Sequence, residues 1–321
     1  MTQPGVGDVH VNKLLSNVSV AYKNQIYIAE SVAPILLVDK QSDLIATYDK
    51  DFWARSVAKK TNPLEPPPIG GYEVNYETYF CEERSVGDII PDAQVANQDP
   101  PFNARADATE WVTDQLLLEH EIDFLTNFWT TGVWSTDVVG GVDFVKWSTY
   151  ATSDPVQDIR GWMRTIRRLL LGRQPNKLVL GDMTFDVLAD HPSLLERVQY
   201  GASSNEPAMV TPNLIAQLLG LQEVQVGHVV YTTTAEGAAT MTYTAGYDDD
   251  ALLCFAPPRP GLKTPTALYT IVWRSLYGAT RYIRMRREPL SDKGWLIEGF
   301  QHYVIKQLSA DAGIFISDAV D

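Results

Sequence analysis

The stretch Tyr72–Phe80, YEVNYETYF, alternates along its length. Tyr72, Val74, Tyr76, Thr78 and Phe80 fall on one face; Glu73, Asn75, Glu77 and Tyr79 fall on the other. A period of two marks a β-strand. The run SDLIATYD, from Ser42, can be the outgoing strand of the same ribbon. Between them lies a tip rich in Lys and Pro that ends in PPPIGG. A two-stranded ribbon is marginal in water. It must lie on its own domain or be completed by another chain.

Residues 103–130 change period. Trp111, Leu118, Ile122, Leu125 and Trp129 follow helical spacing, and Leu117, Phe124 and Phe128 widen the stripe. Glu110, Asp114, Glu121 and Asp123 are among the polar positions around it. Asn103 or Asp107 can cap the start, and Gly132 stops it. A helix of about 26 residues spans roughly 39 Å, enough for a structural spine. Ahead of the ribbon, Val11, Leu14, Leu15, Val18 and Tyr22 have roughly helical spacing. SVAPILLVDK then reads as extended, because Pro34 disfavours a helix. This first segment has no second layer to bury against, so it reads as an arm.

Beyond a turn-rich connector the pattern predicts a compact α/β region. DPVQDIRGWMRTIRRLLLG is an amphipathic helix with Asp154 or Asp158 near its start, Arg167 and Arg168 near its end and Gly172 as stop. KLVLG is a short buried strand, and DMTFDVLADHPSLLERVQYG is a helix, a His-Pro break and another helical turn. TPNLIAQLLGL is a short helix with Thr211 as N-cap and Pro212 at its first position. QEVQVGHVVYTT, ATMTYTAGY and ALLCFAP read as strands. From about residue 266 the strands lengthen, through TALYTIVWRSL, TRYIRMRRE and GWLIEGFQHYVIKQLS to AGIFISDAV. Separate helices and antiparallel strands make the class α+β.

Composition narrows the function. With 321 residues, 45% hydrophobic and 21% charged, the chain can bury a real core. Its net charge of −14 argues against a general nucleic-acid binder, yet suits a surface that sits beside nucleic acid without sticking. Cys81 and Cys254 have no CxxC partner, which excludes a thiolate metal site and fits a reducing cytoplasm. The start MTQPGVGDVH does not read as a signal peptide, and no run of about 18 apolar residues offers a membrane span.

Candidate chemistry is sparse. GxSxG, Walker, GxGxxG and HExxH motifs are all missing. His191, in LADHPSLLERV, is the most noticeable base, but it reads as a residue ending a helix before Pro192. Asp248–Asp250 lacks the alternating spacing of a calcium loop and reads as an acidic turn. Arg281, Arg284, Arg286 and Arg287 form the dense basic cluster. In so acidic a chain they suit ion pairing between strands or subunits better than nucleic acid. The sequence therefore assigns no catalytic, cofactor-binding or metal residue, and the chain reads as a non-enzyme.

The order of parts is informative. It resembles, over nearly the whole chain, the major capsid protein of tailed bacteriophages. The segments that carry the resemblance are HVNKLLSNVSVAYKN, VDKQSDLIATYDKDFWAR, GGYEVNYETYFCEE, DATEWVTDQLLLEHEIDF and LVLGDMTFDVLADHPSLLERVQY. The resemblance implies the tailed-phage capsid fold, shared with encapsulins. Residues 1–40 would be an N-arm and 41–98 an extended loop. Residues 99–150 and 266–310 would form a peripheral domain with a spine helix over about 105–130, and 151–265 with 311–321 an axial domain.

The implied function is self-assembly into the icosahedral head shell of a phage, around double-stranded DNA. The chain would then reside in the virion, after assembly in the bacterial cytoplasm. Its implied partners are its own copies in hexamers and pentamers, a separate scaffolding protein, a portal, a possible decoration protein and non-specifically contacted DNA. Candidate inter-subunit contacts are Phe52, Trp53, Lys59, Lys60, Tyr72, Tyr76, Arg284 and Arg286. Some members form a Lys–Asn crosslink; sequence places no Asn partner here, so that chemistry is not carried over. Two alternatives stand beside this: an encapsulin-like shell around an enzyme, and a hydrolase using Asp and His of residues 151–260.

Overall fold

The computed structural model describes residues 27–48, 50–97, 103–201, 209–235, 238, 240–258, 266–274, 278–289 and 292–321. The helical spacing over Val11–Tyr22 lies outside the described residues. In chain order the elements are α1 (Ala29–Val32), β1 (Ile35–Val38), β2 (Ser42–Tyr48), α2 (Lys50–Ala54), β3 (Val74–Phe80), β4 (Glu82–Pro91), α3 (Asp92–Ala96) and α4 (Ala104–Phe128). There follow β5 (Thr136–Val139), α5 (Pro155–Leu169), β6 (Lys177–Leu180), α6 (Asp182–Ala189), α7 (Pro192–Gly201), α8 (Pro212–Leu219) and β7 (Glu223–Val226). Then come β8 (Val230–Tyr231), β9 (Thr244–Ala245), β10 (Ala251–Cys254), β11 (Leu268–Trp273), β12 (Arg281–Arg287), β13 (Gly294–Gln307) and β14 (Gly313–Ser317).

The helix starts obey their local signals. Asn103 accepts from the Ala106 N–H at the head of α4, and Thr211 accepts from Leu214 N–H at the head of α8. Asp154, rather than Asp158, caps α5 by accepting from Gln157 N–H. Asp158 instead accepts from the Trp147 indole at 3.3 Å. Gly220 ends α8 at φ +72°, a left-handed turn that suits glycine. The short helix α2, inside the ribbon, was not anticipated in the sequence reading.

Two five-stranded sheets organise the chain. In the first, the long β13 pairs antiparallel with β4, β11 and β12, and β1 joins β11 in parallel. In the second, the order is β5-β14-β10-β6-β7. The ribbon β2–β3 runs from Ser42 opposite Phe80 to Tyr48 opposite Val74. Segments distant in sequence thus interlock. Strand β1, from the arm, and β4, after the ribbon, enter the first sheet, while β5 pairs with β14 in the second.

The spine helix α4 crosses both regions. Near its start, Ala108 and Val112 pack with Ile90, Ile283 and Ile297 of the first sheet. Near its end, Phe124, Leu125 and Phe128 enter the main core with Trp129, Tyr247 and Phe315. Its inward face differs from the sequence expectation. Trp111 is 48% exposed, and Glu121 is fully buried. The cause lies far away in sequence: Glu121 takes the Ile28 and Ala29 backbone N–H groups at 3.0 and 2.8 Å, and Tyr247 donates its hydroxyl to it. A buried carboxylate is tolerable when three donors face it.

Candidate assembly surface

The ribbon has two unlike faces. Tyr79 is buried and Ile45 packs beside it against Cys81, Tyr269 and Ile271 of the first sheet. The Tyr79 hydroxyl donates to the Lys40 carbonyl at 3.3 Å, and Lys306 pairs with Glu77 at 3.5 Å. The face that looks more polar in the sequence is therefore the one turned inward. The opposite face carries Leu44, Tyr76 and Phe80, more than half exposed. Nothing in the described chain covers it.

Beyond the strands, every described side chain from Trp53 to Glu73 is exposed. Trp53 and Tyr72 lie with ring centroids 6.3 Å apart, each 66% exposed. Lys59 and Lys60 are exposed in the same tip. Phe52 sits in α2, and its side chain lies outside the described ones. Leu64 and Ile69 are 100% and 97% exposed. The sequence reading missed Leu44, Leu64, Ile69 and Phe80 as surface residues; Leu64 and Ile69 are isolated apolar residues in a polar loop, a signal that would have flagged them, while Leu44 and Phe80 lie in the strands, where facing depends on the packing. Leu44, Tyr76 and Phe80 share one strand face, and exposed apolar side chains so gathered are candidates for an interaction surface.

The arginine candidates sit elsewhere. Arg284 and Arg286 straddle Glu298, with contacts of 2.6 and 2.9 Å, so they tie β12 to β13 within the chain. The two arginines hold the Glu298 carboxyl below its ordinary range despite its partial burial. Arg287 likewise pairs with Asp92 at 2.8 Å and Asp292 at 3.0 Å. The Glu298 contacts are pairing between strands, while the partners of Arg287 lie in α3 and in the β12–β13 connection.

Catalytic geometry does not form around His191. Its Nδ1 accepts from the Ser193 N–H at 3.2 Å, capping α7. Its Nε2 faces Ser153 Oγ at 3.0 Å, while the Ser153 hydroxyl donates to the Thr149 carbonyl at 2.8 Å. The ring is then the neutral Nε2–H tautomer, donating to Ser153 rather than drawing its proton. Burial lowers its pKa. Among the described residues no three His, Cys, Asp or Glu side chains gather to hold a metal. No described helix is long and apolar enough to cross a membrane.

Known proteins match this architecture. No family model matches the chain. The major capsid protein of Burkholderia phage BcepMu is 23% identical over 325 residues, covering 96% of each chain. The major capsid protein of Pseudomonas phage JBD67 is 28% identical over 222 residues, covering 66% of this chain and 67% of that one. Among solved structures, a phage-related protein from Bordetella bronchiseptica superposes with TM-score 0.74 at 20% identity, over 97% of this chain and 98% of that one. A capsid chain of cyanophage P-SCSP1u superposes with TM-score 0.57 at 10% identity, over 99% and 93%. The chain has the major capsid protein fold of tailed phages.

Proposed function

We propose that the chain is the shell-building subunit of a tailed-phage head, and that its ribbon lies across a neighbouring copy. The observation that carries this reading is the ribbon itself: one face anchored on its own sheet, the other apolar and bare. In identical subunits a head-to-tail contact of this kind repeats and closes into rings. Burying about 1,000 Å² of apolar surface yields at most roughly 25 kcal/mol gross. Ordering and association costs cancel much of it, so each contact stays correctable while many together hold a shell. The phage origin of both curated relatives favours a head over a cellular compartment.

On this reading the spine and first sheet form the peripheral domain, and the second sheet with its helices the axial domain. Hexamers and pentamers would tile the shell, with DNA inside meeting an acidic surface along which it slides. A scaffolding protein, a portal and assembly in the host cytoplasm belong to the same proposal. Expression followed by electron microscopy tests it. Rings or shells tens of nanometres wide are the expected product; monodisperse monomers, even with the phage's scaffold supplied, would overturn it.

A further inference from the structure

A second charged feature lies away from the ribbon. A cavity of about 530 Å³ opens beside α5 and α7, lined by Arg160, Arg164, Arg167 and Arg197 together with Asp154 and Gln174. Arg160, Arg164 and Arg167 recur at spacings of four and three, which brings them to one helix face. Like charges so placed repel and destabilise the helix.

Among the described residues little compensates them. Asp154 is the carboxylate in the lining; it is committed to the Gln157 N–H and stands 3.8 Å from Arg197. Arg160 donates to the Leu218 carbonyl at 3.1 Å, and Arg164 to the Arg160 carbonyl at 3.3 Å. The Arg167 Nε is buried and has no hydrogen-bond partner among the described residues. Four guanidinium groups against one carboxylate leave three positive charges in the cavity, in a chain whose net charge is −14. The helix dipole accounts for Arg167, in the last turn of α5. It does not account for Arg160 or for Arg197, which arrives from another helix.

We propose that this cavity binds a small polyanion bearing phosphate groups. A single carboxylate would leave two of the three charges unmatched, whereas a di- or triphosphate group matches them. Guanidinium forks pair with phosphate oxygens in bidentate fashion. A cavity of this size admits a few linked phosphates and shuts out a duplex. The phosphates come either from a soluble polyphosphate or nucleotide, or from the end of a nucleic-acid strand. The inference does not depend on shell formation and is tested on the unassembled full-length chain.

The measurement is calorimetric titration with sodium tripolyphosphate at low salt and again at about 0.15 M salt, where surface attraction is screened. One site per chain is expected, surviving at the higher salt. Arg164→Gln and Arg160→Gln should each weaken it roughly tenfold or more, the size of one lost charge-assisted bond. Arg55→Gln, at the exposed ribbon tip, should leave it unchanged. Both cavity arginines are exposed, so circular dichroism should show the variants folded. A 5′-phosphorylated oligonucleotide binding more tightly than its unphosphorylated form would assign the strand end as the source. Equal, weak binding of both beside tight tripolyphosphate would assign a soluble ligand. Absence of binding, an equal loss in Arg55→Gln, or equally tight binding of oligoglutamate would each overturn the proposal.

Discussion

Glu121 shows how one residue joins three parts of the chain. It sits on the spine, receives two backbone N–H groups from the start of α1, and accepts from Tyr247 before β10. Burial raises its pKa, and those three donors pull it back down. Glu121→Gln keeps the shape but replaces one acceptor oxygen by an NH2 that cannot accept, and should cost about 1–3 kcal/mol in urea unfolding; Glu121→Ala strands three buried donors and should cost about 3–5 kcal/mol. Asp250 makes an opposite prediction. Burial pushes its pKa from 3.8 up to about 6. The folded chain therefore holds a proton there that the unfolded chain releases, so this group's contribution to stability is fully present below about pH 4 and is lost as pH rises through 6. Asp250→Asn keeps an acceptor for the Asp318 N–H. It should match wild type at pH 4 and exceed it by about 1–2 kcal/mol at pH 7, after discounting for partial exposure. Equal stabilities at both pH values would sink this account.

Elements were more legible in the sequence than their facings. Period-two and period-3.6 patterns located the ribbon, the spine and α5, and the cap residues Asn103 and Thr211 are local signals. Facing depends on what arrives from elsewhere. Glu121 looks like a surface residue until α1 docks on it, and Tyr79 looks like the polar side until β11 lies beneath it. The sequence reading took Arg167 and Arg168 as residues near the end of α5 and passed over the series Arg160, Arg164 and Arg167, whose meeting with Arg197 required the packing of α7. Assembly and folding should separate at the ribbon: Tyr72, Tyr76 and Phe80 are exposed, so replacing all three by Ser should change melting temperature little. It should abolish rings or shells in electron micrographs; normal shells would remove the ribbon face from the assembly surface. The spine contact is the reverse case. A Cβ on Gly299 would lie 2.4 Å from Val112 Cγ1. Gly299→Val should therefore lower stability by about 2–3 kcal/mol in denaturant titration by prying α4 off β13.

At the scale of the molecule, a stable body carries an exposed appendage. Deleting Asp51–Gly71 should leave a cooperatively unfolding subunit that assembles poorly, read by calorimetry and electron microscopy together. The body also has an acid limit. His120 is buried, its pKa lowered to about 4, and its Nε2 contacts Thr270 Oγ1 at 3.2 Å. A depressed histidine pKa contributes stability above about pH 6.5 that is lost as pH falls towards 4.

The order of strands in the second sheet has a consequence for synthesis. Strand β14 lies between β5 and β10, although it follows both by many residues. A growing chain holds two open strand edges until translation passes Ser317. Such edges invite pairing with the wrong chain, and contacts so distant in sequence form slowly. A copy cut short before Gly313 cannot close this sheet. Removing residues 313–321 should therefore cost the second sheet its cooperative unfolding transition rather than merely trim it.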